Sequence, residues 1–187
     1  MGTVRQVEPV AFIMSILYGD ADQAEQALKI IGRQYGLIEF RSDPFEFSMT
    51  DYYTAEMGGN LRKFFCCLKD PIMPDELPAI KLSTNDIEQM FADSSSGIPN
   101  RRINIDPGYV TLSKLVLAST KDYSHRIYIG KGIYAEVTLR CIGGTLIPLD
   151  TTYPDYRTPL ALDFFNQVRA YVKRNRHQWI QHAASKS

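Results

Sequence analysis

Between Arg101 and Arg140 the chain reads RRINIDPGYVTLSKLVLASTKDYSHRIYIGKGIYAEVTLR. Arginines, lysines, an Asp, a Glu, a His and an Asn are threaded there between aliphatic and β-branched residues at strand spacing. Side chains two apart on a strand share a face, so Arg102, Asn104 and Asp106 project together, as do Glu136, Thr138 and Arg140. If those strands are neighbours, one face carries two carboxylates, two guanidinium groups and an amide. Such a face could hold a divalent cation between Asp106 and Glu136, or a phosphate between arginines. The plainer explanation is a row of cross-strand ion pairs worth about 0.2–1 kcal/mol each. Asp106-Pro107-Gly108 reads as a turn beside this cluster.

Lys121, His125 and Arg126 flank what reads as a hairpin turn, with Ser119 and Thr120 just before it. Convergent cations and hydroxyls suit a phosphate or carboxylate. His125, with an unperturbed pKa of about 6.5, could serve as a general acid or base. Taken alone, His125 is explained more simply as an exposed residue of a polar loop. In TDYYTAEMGG (50–59) the Tyr53 ring could stack on a base or sugar, and Glu56 could act as acid, base or metal ligand. A structural turn that caps the core explains the same residues equally well. Lys81, Thr84, Asn85 and Glu88 share one helical face. The simpler account is a solvated face, with Lys81 and Glu88 too far apart to pair; the sharper one is a polar wall of the site. The candidate catalytic set is therefore Asp106, Glu136, Glu56 and His125. The ligand-binding set is Arg102, Asn104, Lys121, Arg126, Tyr53, Lys81, Asn85 and Thr138.

Several chemistries lack their motifs. There is no GxxxxGK[ST], no GxGxxG, no GxSxG elbow and no HExxH, and the chain has three histidines in all. P-loop, dinucleotide, nucleophilic-hydrolase and zinc-protease mechanisms are set aside on that basis.

The elements that must position these residues follow from periodicity and breakers. VAFIMSILY (10–18) suits a strand buried on both faces. Asp20 with Gln23 offers a capping box for a helix carrying Ala24, Leu28, Ile31 and Tyr35, and Gly36 stops it. Segments 37–40 and 45–49 read as a bent strand or a hairpin, and 61–68 as an apolar strand. A helix over 75–91, with Pro78 in its first turn, precedes a strand over 102–106. This order is β-α-β-β-α-β, a ferredoxin-like unit. From Tyr109 onward an antiparallel meander is expected, with strands over 111–119, 125–129, 133–141 and 145–149. Thr158 and Pro159 open a last helix that buries Leu162, Phe165, Val168 and Val172. The stretch 93–100 reads as a mobile loop and 183–187 as a disordered tail. The expectation is thus an α+β fold, one domain over 1–187, with a ferredoxin-like half (about 1–108) and a meander plus C-terminal helix (109–187).

At 187 residues, 44% hydrophobic and 22% charged, the composition is that of an ordinary globular protein. A chain of this length buries roughly 70% of its unfolded surface and needs no disulfide. Lys plus Arg and Asp plus Glu both number 21, which speaks against a general nucleic-acid binder. Three cysteines, two adjacent within FFCCL, read as buried residues of a reducing compartment. With no signal peptide pattern and no apolar run near ~20 residues, the expected location is cytoplasmic, with no membrane partner.

Taken together, TDYYTAEMG, IKLSTNDIE, RRINIDPGYV, LVLASTKDYSHRIYIGKGIYAEVTL and TTYPDYR resemble a bacterial domain-of-unknown-function family. Members sometimes carry the label GTP-binding protein. The resemblance covers nearly the whole chain and implies no catalytic residues. The GTP label finds no Walker motif and no [NT]KxD element here; Thr120-Lys121-Asp122 comes nearest but lacks the spacing. Three functions are carried forward. The first is an enzyme or binding protein for a small anionic compound such as a nucleotide or phosphorylated metabolite. The second is a single-stranded nucleic-acid module using Tyr52, Tyr53, Tyr128 and Tyr134. The third is a scaffold or homo-oligomer subunit. No motif names a cofactor; a divalent cation is compatible with the first reading.

Overall fold

The computed structural model describes every residue except 1, 5, 51, 94–99 and 186–187. Most of the loop expected over 93–100, and the last two residues of the expected tail, lie outside the described residues.

The chain runs β1 (Ala11–Tyr18), α1 (Ala21–Tyr35), β2 (Ile38–Arg41), β3 (Phe45–Glu46), α2 (Thr54–Met57), β4 (Arg62–Leu68) and α3 (Leu77–Met90). It continues with β5 (Ile103–Val110), β6 (Lys114–Ser119), β7 (Ile127–Gly130), β8 (Ile133–Ile142), β9 (Thr145–Pro148) and α4 (Pro159–Ala184). The fold is α+β, built on one nine-stranded antiparallel sheet in the order β2-β4-β1-β5-β6-β8-β7, with β3 also on β4 and β9 also on β8. β5 spans the expected boundary at residue 108, so strands from both halves share one sheet. No helix among the described residues is long and apolar enough to cross a membrane.

β1 is buried along its whole length because helices cover both faces of the sheet. Phe12, Met14 and Ile16 pack with Ala27 and Ile31 of α1 and Ile80 of α3. Ala11 and Ile13 pack on the opposite face with Phe165, Val168 and Val172 of α4. Asp20 caps α1 by accepting from the Asp22 N–H at 2.8 Å, while the Gln23 side-chain oxygen has no partner, so the expected capping box is not made. Gly36 ends α1 at φ 93°, a conformation that suits glycine. Thr158 caps α4 through the Ala161 N–H. The helix continues through Ala184 into the region expected as tail, as two alanines favour.

Two further expectations change, and one open alternative is decided. β2 and β3 both pair with β4 and not with each other, so they form the bent strand rather than the hairpin; Ser42 bridges the bend by bonding Phe65 through its N–H and its hydroxyl. The meander is not consecutive: β8 lies between β6 and β7, so residues 120–126 form a crossover rather than a hairpin turn. Asp106-Pro107-Gly108 is no turn but the middle of β5. Proline fits there because β6 pairs with β5 only from Gly108 to Val110, and Pro107 has no N–H to leave unpaired beyond that point.

Candidate functional site

The sheet opens where Pro107 ends the β5–β6 ladder, and a cavity of about 830 Å³ sits at the opening. α3 supplies what the missing strand partner would. The Ile105 N–H donates to Glu88 Oε1 at 2.7 Å, and the Ile105 carbonyl accepts from Lys81 Nζ at 2.8 Å. Lys81 Nζ also donates to Asp106 Oδ1 at 3.2 Å and lies 3.8 Å from Glu88 Oε1. The expectation that Lys81 and Glu88 are too distant to pair is thus corrected, and so is the solvated-face reading. Both side chains are buried because both converge on the Ile105 backbone. Asn85 lines the cavity with them, while Thr84 is buried and donates to the Lys81 carbonyl.

Asp106 faces the cavity, and its Oδ2 accepts from Asn104 Nδ2 at 2.7 Å. Burial alone would raise its pKa, but Lys81, Lys63 and the Asn104 hydrogen bond together hold it below the ordinary carboxylate value. For Glu88 burial wins over Lys81, and the carboxyl is pushed up.

The arginine at this end is Arg101, not Arg102. Arg101 donates to Glu56 through Nε and Nη2 at 2.8 Å each, to Asn104 Oδ1 at 3.0 Å and to Glu88 Oε2 at 3.2 Å. Arg102 instead pairs with Asp93 at the surface, because β5 starts only at Ile103 and the strand parity that would align residue 102 with 104 does not extend to it. Glu56 is committed to Arg101, whose hydrogen bonds lower its pKa against the effect of burial; it does not line the cavity as a free acid or base.

The opposite end is built by the crossover 120–126 and by β8. Arg126 is buried; it donates through Nε to Glu136 Oε2 at 2.7 Å, and through Nη1 to Ser119 Oγ at 2.8 Å and the Lys121 carbonyl at 2.9 Å. Its Nη2 donates to the Tyr153 hydroxyl, and its guanidinium lies 4.7 Å from the Tyr123 ring centroid. His125 Nε2 is 3.1 Å from Glu136 Oε2, and its ring is parallel to Tyr123 within 5°. Lys121 is exposed and donates to the Tyr52 hydroxyl at 2.6 Å. Tyr52 and Tyr53 meet edge to face at 5.0 Å along the cavity wall.

Thr138 and Arg140 do not join Glu136. The β6–β8 register shifts between Leu115 and Val116, so β8 carries an extra residue and alternation fails beyond Glu136. Thr138 is buried outside the cavity, its carbonyl accepting from Thr152 Oγ1, and Arg140 is exposed. Asp106 and Glu136 sit on strands separated by β6; Lys81, shared with Glu88, contacts the first and Arg126 the second. Among the described residues no group of three or more His, Cys, Asp or Glu could hold a metal. The four tyrosines considered for base stacking are divided, with Tyr52 and Tyr53 at the cavity and Tyr128 against Tyr134 on β7 and β8.

Sequence reasoning missed Lys63, Asp155, Tyr153 and Tyr123. Lys63 Nζ pairs with Asp155 Oδ2 at 2.6 Å, both side chains being buried, and lies 4.9 Å from the Tyr156 ring centroid. A lysine inside the apolar run RKFFCCL was the available signal, since a lysine buried in a covered strand needs a partner. The Tyr153 phenol is pushed up to about 12 by burial first and Glu136 second, and burial also raises Tyr53, so both phenols are neutral. Cys66 and Cys67 are free and buried, and burial pushes the Cys66 thiol up to about 12.

No curated protein and no solved structure matches the chain. Residues 8–171 match a family through the same segments that build the sheet and the cavity, and the chain belongs to that family, Domain of unknown function (DUF4416).

Proposed function

We propose that the cavity binds a small anionic ligand bearing a phosphate or a carboxylate, with room for a nucleotide-sized body. One observation carries the reading: every buried charged residue among those described, namely Lys63, Lys81, Glu88, Arg126, Glu136 and Asp155, lines this cavity. Removing each ion from water costs several kcal/mol, and well-packed apolar residues would stabilise a fold as well or better. Concentrating those groups around a single opening is therefore explained by what the opening holds. Its volume falls in the ordinary range of ligand sites, about 300–1,000 Å³. Four of the five N–H donors of Arg126 are used within the protein, leaving one for a ligand. Tyr53 and Tyr153 offer rings for the ligand body. A divalent cation between Asp106 and Glu136 has less support, because β6 lies between their strands and Arg126 already pairs with Glu136. Asp106 and His125 are the titratable groups placed to move a proton if the bound compound is also transformed.

Thermal unfolding in the presence of nucleotides, sugar phosphates and dicarboxylates tests the proposal. A ligand at 100 times its Kd adds about 2.7 kcal/mol of stability, or a rise in Tm of about 5–10 °C for a chain of this size. Lys121→Ala, a change at an exposed side chain, should weaken that rise without altering the unliganded Tm by more than about 2 °C. A panel in which no anion shifts Tm would sink the proposal.

A further inference from the structure

We infer that the ligand is dipolar, with its anionic group at the crossover 120–126 and an ammonium group against Asp106. The inference rests on the anion-binding reading above and adds a second, oppositely charged contact. The cavity wall divides into two poles. At the crossover, the wall carries Lys121 and Arg126 against one carboxylate, Glu136, with Asp122 off the wall, which leaves one positive charge over on the wall and a second whenever His125 is protonated. At the β5–α3 end, Lys81 and Arg101 stand on the wall with Glu88 and Asp106, and Arg101 is also forked by Glu56 from off the wall, which leaves one negative charge over in the cluster. Lys63 and Asp155 cancel between the poles.

Asp106 is where the surplus negative charge is accessible. Its side chain is 27% exposed, against 3% for Glu88, 3% for Glu136 and 5% for Asp155, the other carboxylates that line the cavity. Each of its oxygens takes one internal hydrogen bond, from Lys81 and from Asn104, and a carboxylate oxygen has a second lone pair to offer. Lys81 lowers its pKa, so it accepts rather than donates. Tyr153 links the poles: Arg126 donates to its hydroxyl, and its phenol feels the charges of both Glu136 and Asp106. Neutral tyrosine rings on this wall add no negative charge and favour a cation over their faces. A hydroxyl satisfies the Asp106 lone pairs but leaves the charge of that pole, which a cationic group such as an ammonium neutralises.

Titration calorimetry on the intact protein separates these cases. The probes are ω-aminoalkyl phosphates of roughly two to six carbons, sizes that a cavity of this volume holds, each compared with the alkyl phosphate of equal length. ω-Amino acids against alkyl carboxylates form a second series that identifies the anion. In one of the series the best amino compound should bind at least about tenfold tighter than its alkyl partner, and Asp106→Asn should bring that ratio to within about twofold. Alkyl and amino compounds binding equally in both series, or a preference that survives Asp106→Asn, overturns the dipolar inference and leaves the anion site standing. Failure of every compound to bind overturns both. The wild-type comparison decides the matter on its own should Asp106→Asn fail to fold.

Discussion

Glu56 and Glu88 flank the same guanidinium and titrate in opposite senses. Arg101 forks onto Glu56, and its hydrogen bonds hold that carboxyl below the ordinary value of 4.5 despite partial burial. A carboxylate lowered in the folded state contributes stability above its unfolded pKa and withdraws it as pH falls through the folded value. Glu88, raised by burial, favours the folded state when protonated and withdraws that contribution as pH rises past its folded pKa. Glu56 and Asp106 therefore withdraw their contributions to stability on acidification below about pH 4.5. Glu56→Gln should reduce the fall in Tm between about pH 5 and about pH 3 relative to wild type, as followed by circular dichroism. An unchanged fall would mean that the Arg101–Glu56 fork contributes nothing in solution. Lys63 and Asp155 are a different case: one distant pair, fully desolvated, whose two members need each other far more than the fold needs the pair.

Among the elements, β5 is the one whose geometry creates the site. Gly108 marks the last rung of its ladder with β6. A Cβ there would collide with the Val116 carbonyl and come within 2.7 Å of Leu117 Cδ2 and 3.1 Å of Ile13 Cδ1. β5, β6 and β1 are packed too closely at that point for any side chain, while one residue earlier Pro107 forbids the ladder from continuing. Close approach and forced separation in adjacent residues explain why the sheet parts there and why α3 must satisfy Ile105. Gly108→Ala should destabilise by about 1–3 kcal/mol in urea unfolding, with an unchanged m value. A loss below ~0.5 kcal/mol would show that β6 shifts freely and that the opening is not fixed by packing.

At the scale of the whole molecule, one sheet carries two helical layers, and the cavity draws on both. α3 reaches it from the layer shared with α1, while Asp155 and Tyr153 come from the segment that leads into α4 on the opposite face. Binding thus requires both layers to be docked. Trp179, the one tryptophan in the chain, is buried on α4 against Tyr171 and reports that docking. Its fluorescence and the far-ultraviolet circular dichroism should lose their folded signals at the same urea concentration, as a single cooperative unit requires. Earlier loss of the tryptophan signal would identify α4 as a separate folding unit, contrary to the one-domain expectation.

Features that depend on neighbours a few residues away are legible in the chain. The buried run of β1, the caps of α1 and α4, Pro78 in the first turn of α3 and the α+β class follow from periodicity and backbone chemistry. Residue type and spacing also singled out Asn104, Asp106, Lys121, His125, Arg126 and Glu136, which the fold brings to one cavity. Long-range packing set the rest. Placing β8 between β6 and β7 depends on which strands bury which faces, and no local pattern encodes that. The exchange of Arg101 for Arg102, and the loss of Thr138 and Arg140, follow from a strand start and a bulge; one residue of slip sends a side chain to the other face. Lys63 and Asp155 lie 92 residues apart, so nothing in the sequence near either one announces the other. They meet because a buried charge is tolerated only beside its opposite, a condition that the folded chain alone can meet.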